Sequence, residues 1–305
     1  MSADLQTAPG ITVTRIPDPA EPVPAVAWPT VALLVVGLAL WFGSVAALLS
    51  GLWPWPVSTL ISAVASYVLF TVAHDAAHHS TSSNQQINRW IGRLAVPFFA
   101  PHAGMSTWRY IHMQHHRFTN HDDGNDPDHY TMRGPAWQRP LRWITVDLFY
   151  MVFYVPRLAS RPRAEKIELF TQWAVVITLS VLAVVNGYGF ELLVLYFLPC
   201  RIAILFLGWA FDYLPHNGLH HTPTEDKLKT TRNRVGGERW LSPVLLYQNY
   251  HLVHHLHPLV PFYRYIKVWR RNERTYLNGD PALSTVGGRE LTIEEYAQLR
   301  ELAAH

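Results

Sequence analysis

The chain has 305 residues, of which 49% are hydrophobic and only 15% charged, and its net charge is +3. So small a positive charge is not the footprint of a nucleic-acid-binding protein, and we expect no nucleic-acid partner. The single cysteine, Cys200, excludes intramolecular disulfides and metal clusters bound by several cysteines.

Basic residues are unevenly distributed along the chain. Residues 27–77 contain no Lys or Arg, and residues 167–212 contain only Arg201, whereas the segments after each stretch are basic. A soluble domain would scatter its charges, so this pattern predicts a multi-pass membrane protein. We expect residues 1–26 to form a flexible or extended leader and not a cleaved signal peptide, because no basic region with an apolar run opens the chain.

Four apolar stretches are near the roughly 20 residues that a helix needs to cross a bilayer. Short turns at residues 53–56 and 186–189 join them into two hairpins, and neither turn carries Lys or Arg. The positive-inside rule therefore places both termini and the polar blocks in the cytoplasm. The predicted spans are residues 27–52, 57–78, 170–185 and 190–214.

Three shorter helical segments are predicted outside these spans. Residues 87–99 and 137–155 are apolar but interrupted by charge and proline, which indicates amphipathic helices on the membrane surface, with additional spans as the alternative. Thr292 and Glu295 form a capping box for a short helix in the C-terminal tail, residues 277–305. The predicted fold class is all-α, with four transmembrane helices and a cytoplasmic helical cap.

Seventeen histidines are the strongest anomaly of the composition, since such an excess usually serves chemistry or metal binding. His74 and His78, at the end of the second span, share one helix face. Two later segments repeat the spacing H-x-x-H-H, which places three imidazoles on one helical stripe. These residues are His112, His115 and His116 in the first polar block, and His251, His254 and His255 in the second.

His216, which follows Asp212 by four residues at the end of the fourth span, is the ninth candidate ligand. Nine imidazoles are too many for one ion, whose shell takes about four to six ligands, and they fit two metals. Imidazole binds zinc, copper, iron and nickel, but the HExxH motif of many zinc hydrolases is absent. Redox iron accounts better for the surplus, so we predict two iron ions with open positions for dioxygen and substrate.

Metal-binding histidines usually donate their second ring N–H to a carboxylate or a carbonyl. Several carboxylates and one amide flank the histidine segments and are candidates for this supporting role. A plain polar turn at residues 121–125 is an equal alternative for the carboxylates there. The candidates are Asp75, Asp126, Asp128, Asp212 and Asn249.

The histidine segments, in this order and between two hairpins, resemble those of the membrane fatty-acid desaturase and hydroxylase superfamily over roughly residues 27–276. The resemblance implies four spans, a cytoplasmic cap, a diiron site, dioxygen as co-substrate, and electrons from a ferredoxin or a cytochrome. Within the superfamily, residues 125–129, 212–216 and 249–258 are most similar to the carotenoid ring hydroxylases of cyanobacterial type.

One departure from that pattern leaves the ligand set open. In those hydroxylases a second histidine closely follows the Pro-His pair, whereas here the next histidines are His220 and His221. Which of His216, His220 and His221 binds metal, and whether His79 does, is therefore undecided by the sequence.

The leading functional hypothesis is a carotenoid or other isoprenoid hydroxylase that takes its lipid substrate from the bilayer. An acyl-lipid or fatty-acyl desaturase or hydroxylase is the alternative. A metal transporter is disfavoured, because transporters place charged ligands near the bilayer midplane and these histidines lie at span ends. We expect a bacterial inner-membrane protein whose active site faces the cytoplasm.

Overall fold

The computed structural model describes residues 16–302; residues 1–15 of the predicted leader and residues 303–305 lie outside the described part. It is mostly helical. The helices are α1 (Trp28–Leu49), α2 (Trp55–Ala77), α3 (Gln85–Ala95), α4 (Met105–Phe118), α5 (Arg139–Ile144), α6 (Val146–Tyr154), α7 (Arg163–Val185), α8 (Gly189–His216), α9 (Glu238–Val244), α10 (His251–Leu256), α11 (Tyr265–Leu277) and α12 (Ile293–Leu302). The strands are β1 (Asn233–Val235) and β2 (Leu283–Thr285).

Four of these helices, α1, α2, α7 and α8, are long and apolar enough to cross a membrane, which confirms the two predicted hairpins. Helix α7 begins at Arg163, well before residue 170, because a polar first turn extends it beyond its apolar stretch. Residues 16–302 contain no fifth helix of this kind. The segment predicted over residues 137–155 consists of the short helices α5 and α6, which expose Leu141 and Val152 as a surface helix would.

Helix α2 is the buried centre of the four spans and packs against α1 and α8. Small residues permit close contact: a Cβ on Gly37 of α1 would lie 2.7 Å from Cγ of Leu69. Gly208 of α8 has the same role toward α5, since a Cβ there would lie 2.8 Å from the carbonyl oxygen of Trp143. By contrast, the apolar stretch of α7 is almost entirely exposed, as expected of a helix that faces lipid.

The polar cap is built from α4, α10, α11 and α12 and from a small parallel sheet in which Asn233 pairs with Leu283. This sheet is not among the elements predicted from the sequence. It positions the third histidine segment, because the Asn233 side chain accepts a hydrogen bond from the Leu252 backbone N–H at 3.0 Å. The predicted capping box is confirmed: Thr292 and Glu295 bond each other's backbone N–H groups at 3.0 and 3.2 Å.

Residues 16–26 of the predicted leader are extended and lie against α11. The Glu21 carboxylate forms ion pairs with Arg264, Lys267 and Arg271 at 3.2, 2.8 and 2.7 Å. The Asn272 amide also donates to the Asp18 carbonyl at 3.1 Å. This part of the leader therefore packs on the cap next to the spans.

Candidate metal centre

The first two histidine segments are held in a fixed relation where α2 ends and α4 crosses it. Arg109 of α4 donates from Nε to the Ala77 carbonyl at 2.7 Å, beside the last turn of α2. The start of α4 is fixed as well, because the Ser106 N–H donates to the Glu168 carboxylate at 2.8 Å. Glu168 also pairs with Arg93 at 2.7 Å, so one carboxylate joins α3, α4 and α7.

The imidazoles of distant segments point their Nε2 atoms at one another. The Nε2 atoms of His78 and His112 are 2.7 Å apart, and Nε2 of His254 lies 3.1 Å from that of His74 and 2.9 Å from that of His116. On the other side, Nε2 of His255 lies 3.3 Å from that of His115 and 3.1 Å from that of His251. The rings thus converge on shared points.

The convergence defines two four-histidine clusters, which we call cluster A (His74, His78, His112, His254) and cluster B (His115, His216, His251, His255). Within each cluster the potential ligand atoms lie within 4.8 Å of one another. Metal–nitrogen bonds of about 2.1 Å place opposite ligands about 4 Å apart, so each cluster has the dimensions of one ion's shell. His116 lies between the clusters, grouped with His254 and His255, and its ring stacks on that of His255 at 4.2 Å.

The donor set fits bound metal better than internal hydrogen bonding. Nε2 of His216 is buried and has no hydrogen-bond partner within residues 16–302. Most other Nε2 atoms in the clusters face ring nitrogens instead of carbonyls or carboxylates. A cation between the rings would satisfy these lone pairs together, whereas a buried polar atom without a partner costs about 1–3 kcal/mol.

Burial keeps most of these rings in the form that binds metal. It lowers the pKa of five of them well below its ordinary value, and the neighbouring imidazoles add to this effect, so the rings are neutral at neutral pH. A neutral imidazole has a free lone pair for a cation. The five are His112, His116, His251, His254 and His255.

His115 is the exception, because it lies beside two buried carboxylates. Its Nδ1 is 2.9 Å from Oδ1 of Asp126 and 3.4 Å from Oδ2 of Asp128. Burial opposes the charged ring, but Asp128 and Asp126 together raise the pKa of His115 to about 9. The pKa of Asp128 is also raised, to about 6, because burial disfavours its charged carboxylate. Asp128 also accepts from the Tyr150 hydroxyl at 2.7 Å, and that hydroxyl lies 3.4 Å from Asp212.

The other proposed supporting residues lie farther from the rings. Asp75 accepts from the Thr30 hydroxyl at 2.8 Å and from the Phe262 N–H at 3.2 Å, so it joins α1, α2 and the cap. The Asn249 amide donates to the Arg234 carbonyl at 3.2 Å. Within residues 16–302, neither side chain forms a hydrogen bond with a histidine, and their supporting role stays a prediction.

The alternative histidines occupy different surroundings. His220 and His221 are exposed, and His79, with a left-handed φ of 58°, joins none of the groups. Among the three histidines at the end of α8, only His216 faces the other rings, 4.8 Å from His115 between centroids.

Three side chains that contact the clusters were not predicted from the sequence. The Gln248 amide oxygen lies 2.9 Å from Nδ1 of His251, and the Tyr265 hydroxyl lies 2.9 Å from Nδ1 of His254. The Trp108 ring stacks on His112 at 5.2 Å. Gln248 and Trp108 are each a short helical step from a histidine, so spacing could have suggested them; nothing local connects Tyr265 to His254.

A small cavity opens beside both clusters and is lined by His74 and His112, by the aromatic rings of Phe70, Trp108 and Phe211, and by Asp128 and Asp212. The lining of the cavity is thus mostly apolar, with two carboxylates and several imidazoles among it. The cavity's volume of about 20 Å³ has room for about one water molecule, so an apolar chain would enter only if the lining rings move aside.

Comparison with known proteins finds a matching family model and several similar proteins. A family model described as fatty acid desaturase matches residues 50–286, more than half of the chain. An sn-2 acyl-lipid omega-3 desaturase (ferredoxin) from Helianthus annuus is 27% identical over 77% of this chain and 58% of its own length. A dihydrorhizobitoxine desaturase from Bradyrhizobium elkanii is 26% identical over 69% of this chain and 65% of its own length. A beta-carotene ketolase from Paracoccus sp. is 28% identical over 64% of this chain and 71% of its own length.

The two desaturase alignments each span less than two thirds of the relative's own length. Desaturases and ketolases are oxidoreductases.

Proposed function

Since this chain belongs to the fatty acid desaturase family and is a multi-pass membrane protein, we propose that it is an oxidoreductase that holds two iron ions and uses dioxygen to oxidise C–H bonds of a lipid. The observation that carries the proposal is the pair of four-histidine clusters joined through His116. Histidine-rich shells suit redox iron, and two adjacent clusters call for two ions.

The proposed ligands are His74, His78, His112 and His254 for one ion and His115, His216, His251 and His255 for the other, with His116 between them. When bound, the two irons would supply the oxidising power for an unactivated C–H bond. The protein would orient the rings through their Nδ1 atoms: Asp126 holds His115, Gln248 holds His251 and Tyr265 holds His254.

The remaining residues of the site would position the substrate and move protons. Phe70, Trp108 and Phe211 would hold an apolar chain beside the metals and exclude water. The Tyr150 hydroxyl, between Asp128 and Asp212, is placed to pass a proton between the two carboxylates at the edge of the cavity. Whether a hydroxyl group or a double bond results depends on how the substrate carbon is held.

A carotenoid or other isoprenoid is the first candidate substrate, with hydroxylation as the reaction. The Paracoccus beta-carotene ketolase, by its name an enzyme of carotenoids, aligns over 71% of its own length, more than either desaturase quoted above. Acyl-lipid desaturation is the second candidate. It is favoured by the family model and by the Helianthus annuus desaturase, whose alignment covers 77% of this chain.

The distribution of basic residues supports a location and an orientation in the membrane. The basic polar blocks, which carry the clusters, would lie in the cytoplasm, most simply at a bacterial inner membrane, because neither hairpin turn carries Lys or Arg. An electron donor such as a ferredoxin or a cytochrome would then reach the site from the cytoplasm.

Lipid extraction after expression tests the substrate. Cells with and without a carotenoid supply would express the wild type and the His115→Ala variant. A hydroxylated carotenoid formed only by the wild type supports the first candidate, and a new acyl double bond supports the second. No new lipid with either supply, from an iron-loaded protein that receives electrons, would contradict the proposal.

A further inference from the structure

A groove that faces the bilayer lies between α1, α7 and the first half of α8. Its volume is about 440 Å³, and apolar side chains such as Trp41, Val176 and Leu179 provide almost all of its lining. Binding pockets for small molecules occupy about 300–1,000 Å³, so the groove has room for a hydrocarbon chain. Because all three helices are membrane spans, lipid hydrocarbon is the material that surrounds it.

Two polar side chains in this groove have an atom without a partner. Nε2 of Gln172 and Oε2 of Glu191 are buried and form no hydrogen bond with any residue in the range 16–302. Leaving such an atom unpaired costs about 1–3 kcal/mol. The apolar face of another helix would leave this cost in place, whereas a polar group of a membrane lipid whose chain fills the groove would remove it.

Only a short segment, Val96–Ala100, separates this groove from the cavities near the clusters. Phe98 lines the groove, while Phe99 lines a second cavity on the other side of the segment. Trp108 lines both that second cavity and the one that borders His112. The groove and the two cavities therefore follow one another toward the metal centre, although each cavity holds only about 20 Å³. We call the segment Val96–Ala100, which lies between the groove and the cavities, the partition.

The partition includes the short 3₁₀ helix Val96–Phe98, which continues α3, and side chains of the spans also bond to it. The Phe98 carbonyl accepts from the Ser66 hydroxyl at 2.6 Å and from the Cys200 thiol at 3.2 Å. The Pro97 carbonyl accepts from the Tyr196 hydroxyl at 2.8 Å. Displacing the partition would break these bonds and move the buried residues Val96, Phe99 and Ala100 out of the core, but it would not unwind a span.

Helix α8 departs from α-helical geometry both at the groove and beside the clusters. The π-helical segment Leu193–Phe197 supplies Leu195 and Tyr196 to the groove, and the π-helical segment Gly208–Tyr213 supplies Asp212 to the cavity beside the clusters. π-Helical turns are rare and occur frequently at functional sites.

We propose that the groove binds the hydrocarbon chain of the lipid substrate and that the chain reaches the metal centre by displacing the partition. The inference rests on the proposed function, because it takes the substrate to be a membrane lipid. It adds the side of the protein from which the lipid enters and the residues that admit it.

Filling the groove tests the inference. Ser180→Trp and Ala183→Trp place a large ring into it, since both residues line it. Ile177→Trp and Val181→Trp are matched controls on the same helix, because both side chains are exposed and neither lines the groove. With full-length protein in phosphatidylcholine vesicles that also contain the substrate identified by lipid extraction, we expect a roughly tenfold lower kcat/KM in the groove variants, wild-type metal content, and unchanged controls. Wild-type kcat/KM in both groove variants would overturn the inference.

A photolabel keeps this test separate from the test of function. A phosphatidylcholine with a diazirine on its acyl chain would be irradiated with the wild-type protein in vesicles. Labelling of residues 96–100 that Ala183→Trp reduces severalfold supports the inference even if product formation fails, whereas labelling of the exposed face of α7 is expected of any lipid-facing helix. Labelling confined to other surfaces, or unchanged in the variant, overturns it even if the protein oxidises lipids.

Discussion

Nδ1 of His115 lies 2.9 Å from Oδ1 of Asp126, and both side chains are almost completely buried. Asp126 also accepts from the Asn120 N–H at 2.8 Å and from the Asp128 N–H at 3.0 Å, so its carboxylate is fixed within its own loop. A loop carboxylate thereby sets the orientation of an α4 imidazole in cluster B.

Replacing this carboxylate should weaken metal binding without unfolding the protein. We expect Asp126→Asn to lower the iron affinity about 10- to 100-fold, the usual effect of losing a partner of a metal-bound histidine. Asp123→Asn is the matched control, because Asp123 is half-exposed in the same loop. Iron titration of the metal-free proteins would measure the affinities; equal affinity in the wild type and Asp126→Asn would contradict the assignment.

Iron binding should depend on pH through His115. Asp128 and Asp126 raise the pKa of His115 to about 9 against the effect of burial, so the metal-free protein has a charged His115 at neutral pH. This interaction stabilises the metal-free fold fully below about pH 6.5 and is lost as the pH rises through about 9.

Iron must displace that proton from His115. The apparent iron affinity should therefore rise about tenfold per pH unit between about pH 7 and 9 and level off above. Calorimetry in buffers of different ionisation enthalpy would count the released proton. A pH-independent affinity over this range would be inconsistent with a charged His115.

The Tyr265 hydroxyl orients His254, which belongs to cluster A and contacts His116. Tyr265→Phe keeps the buried ring and removes only the hydroxyl, so we expect about tenfold weaker iron binding. Because Nδ1 of His254 then has no partner, the protein should also lose about 1–3 kcal/mol of stability. Tyr263→Phe, two residues earlier, should have no effect on either quantity. If both variants bind iron equally, the hydroxyl does not orient the ring.

Arg201 is the single basic residue of the fourth span, and its guanidinium forms an ion pair with the buried Asp147 of α6. Arg201→Met would leave the Asp147 charge unpaired and should destabilise the protein by about 3–5 kcal/mol. Combining it with Asp147→Leu should recover much of this loss. Thermal unfolding in detergent would check both; a double variant less stable than Arg201→Met would argue against charge burial as the cause.

Much of this arrangement could be predicted from local pattern. The spans follow from apolar length, and the six histidines of the two H-x-x-H-H segments follow from helical spacing, because both properties are encoded within a few residues. The pairing of His74 with His254 was not predictable in detail, since 180 positions separate the two residues and only tertiary packing brings them together.

Features without a local pattern were missed. The strands β1 and β2 are three residues each and pair across nearly 50 positions, which leaves no alternation to detect. Tyr150 lies in a segment that the sequence identified only as a surface helix, yet its hydroxyl contacts Asp128 and Asp212. Its position reflects the packing of α6 against the clusters, which no short segment specifies.

Iron content measured together with turnover is the most direct test of two metal ions held by clusters A and B. Purified protein that oxidises a lipid should contain about two irons per chain, and His254→Ala should lose iron and turnover while His220→Ala, at an exposed position, keeps both. Active protein without metal, or His254→Ala with full iron and full turnover, would contradict the account.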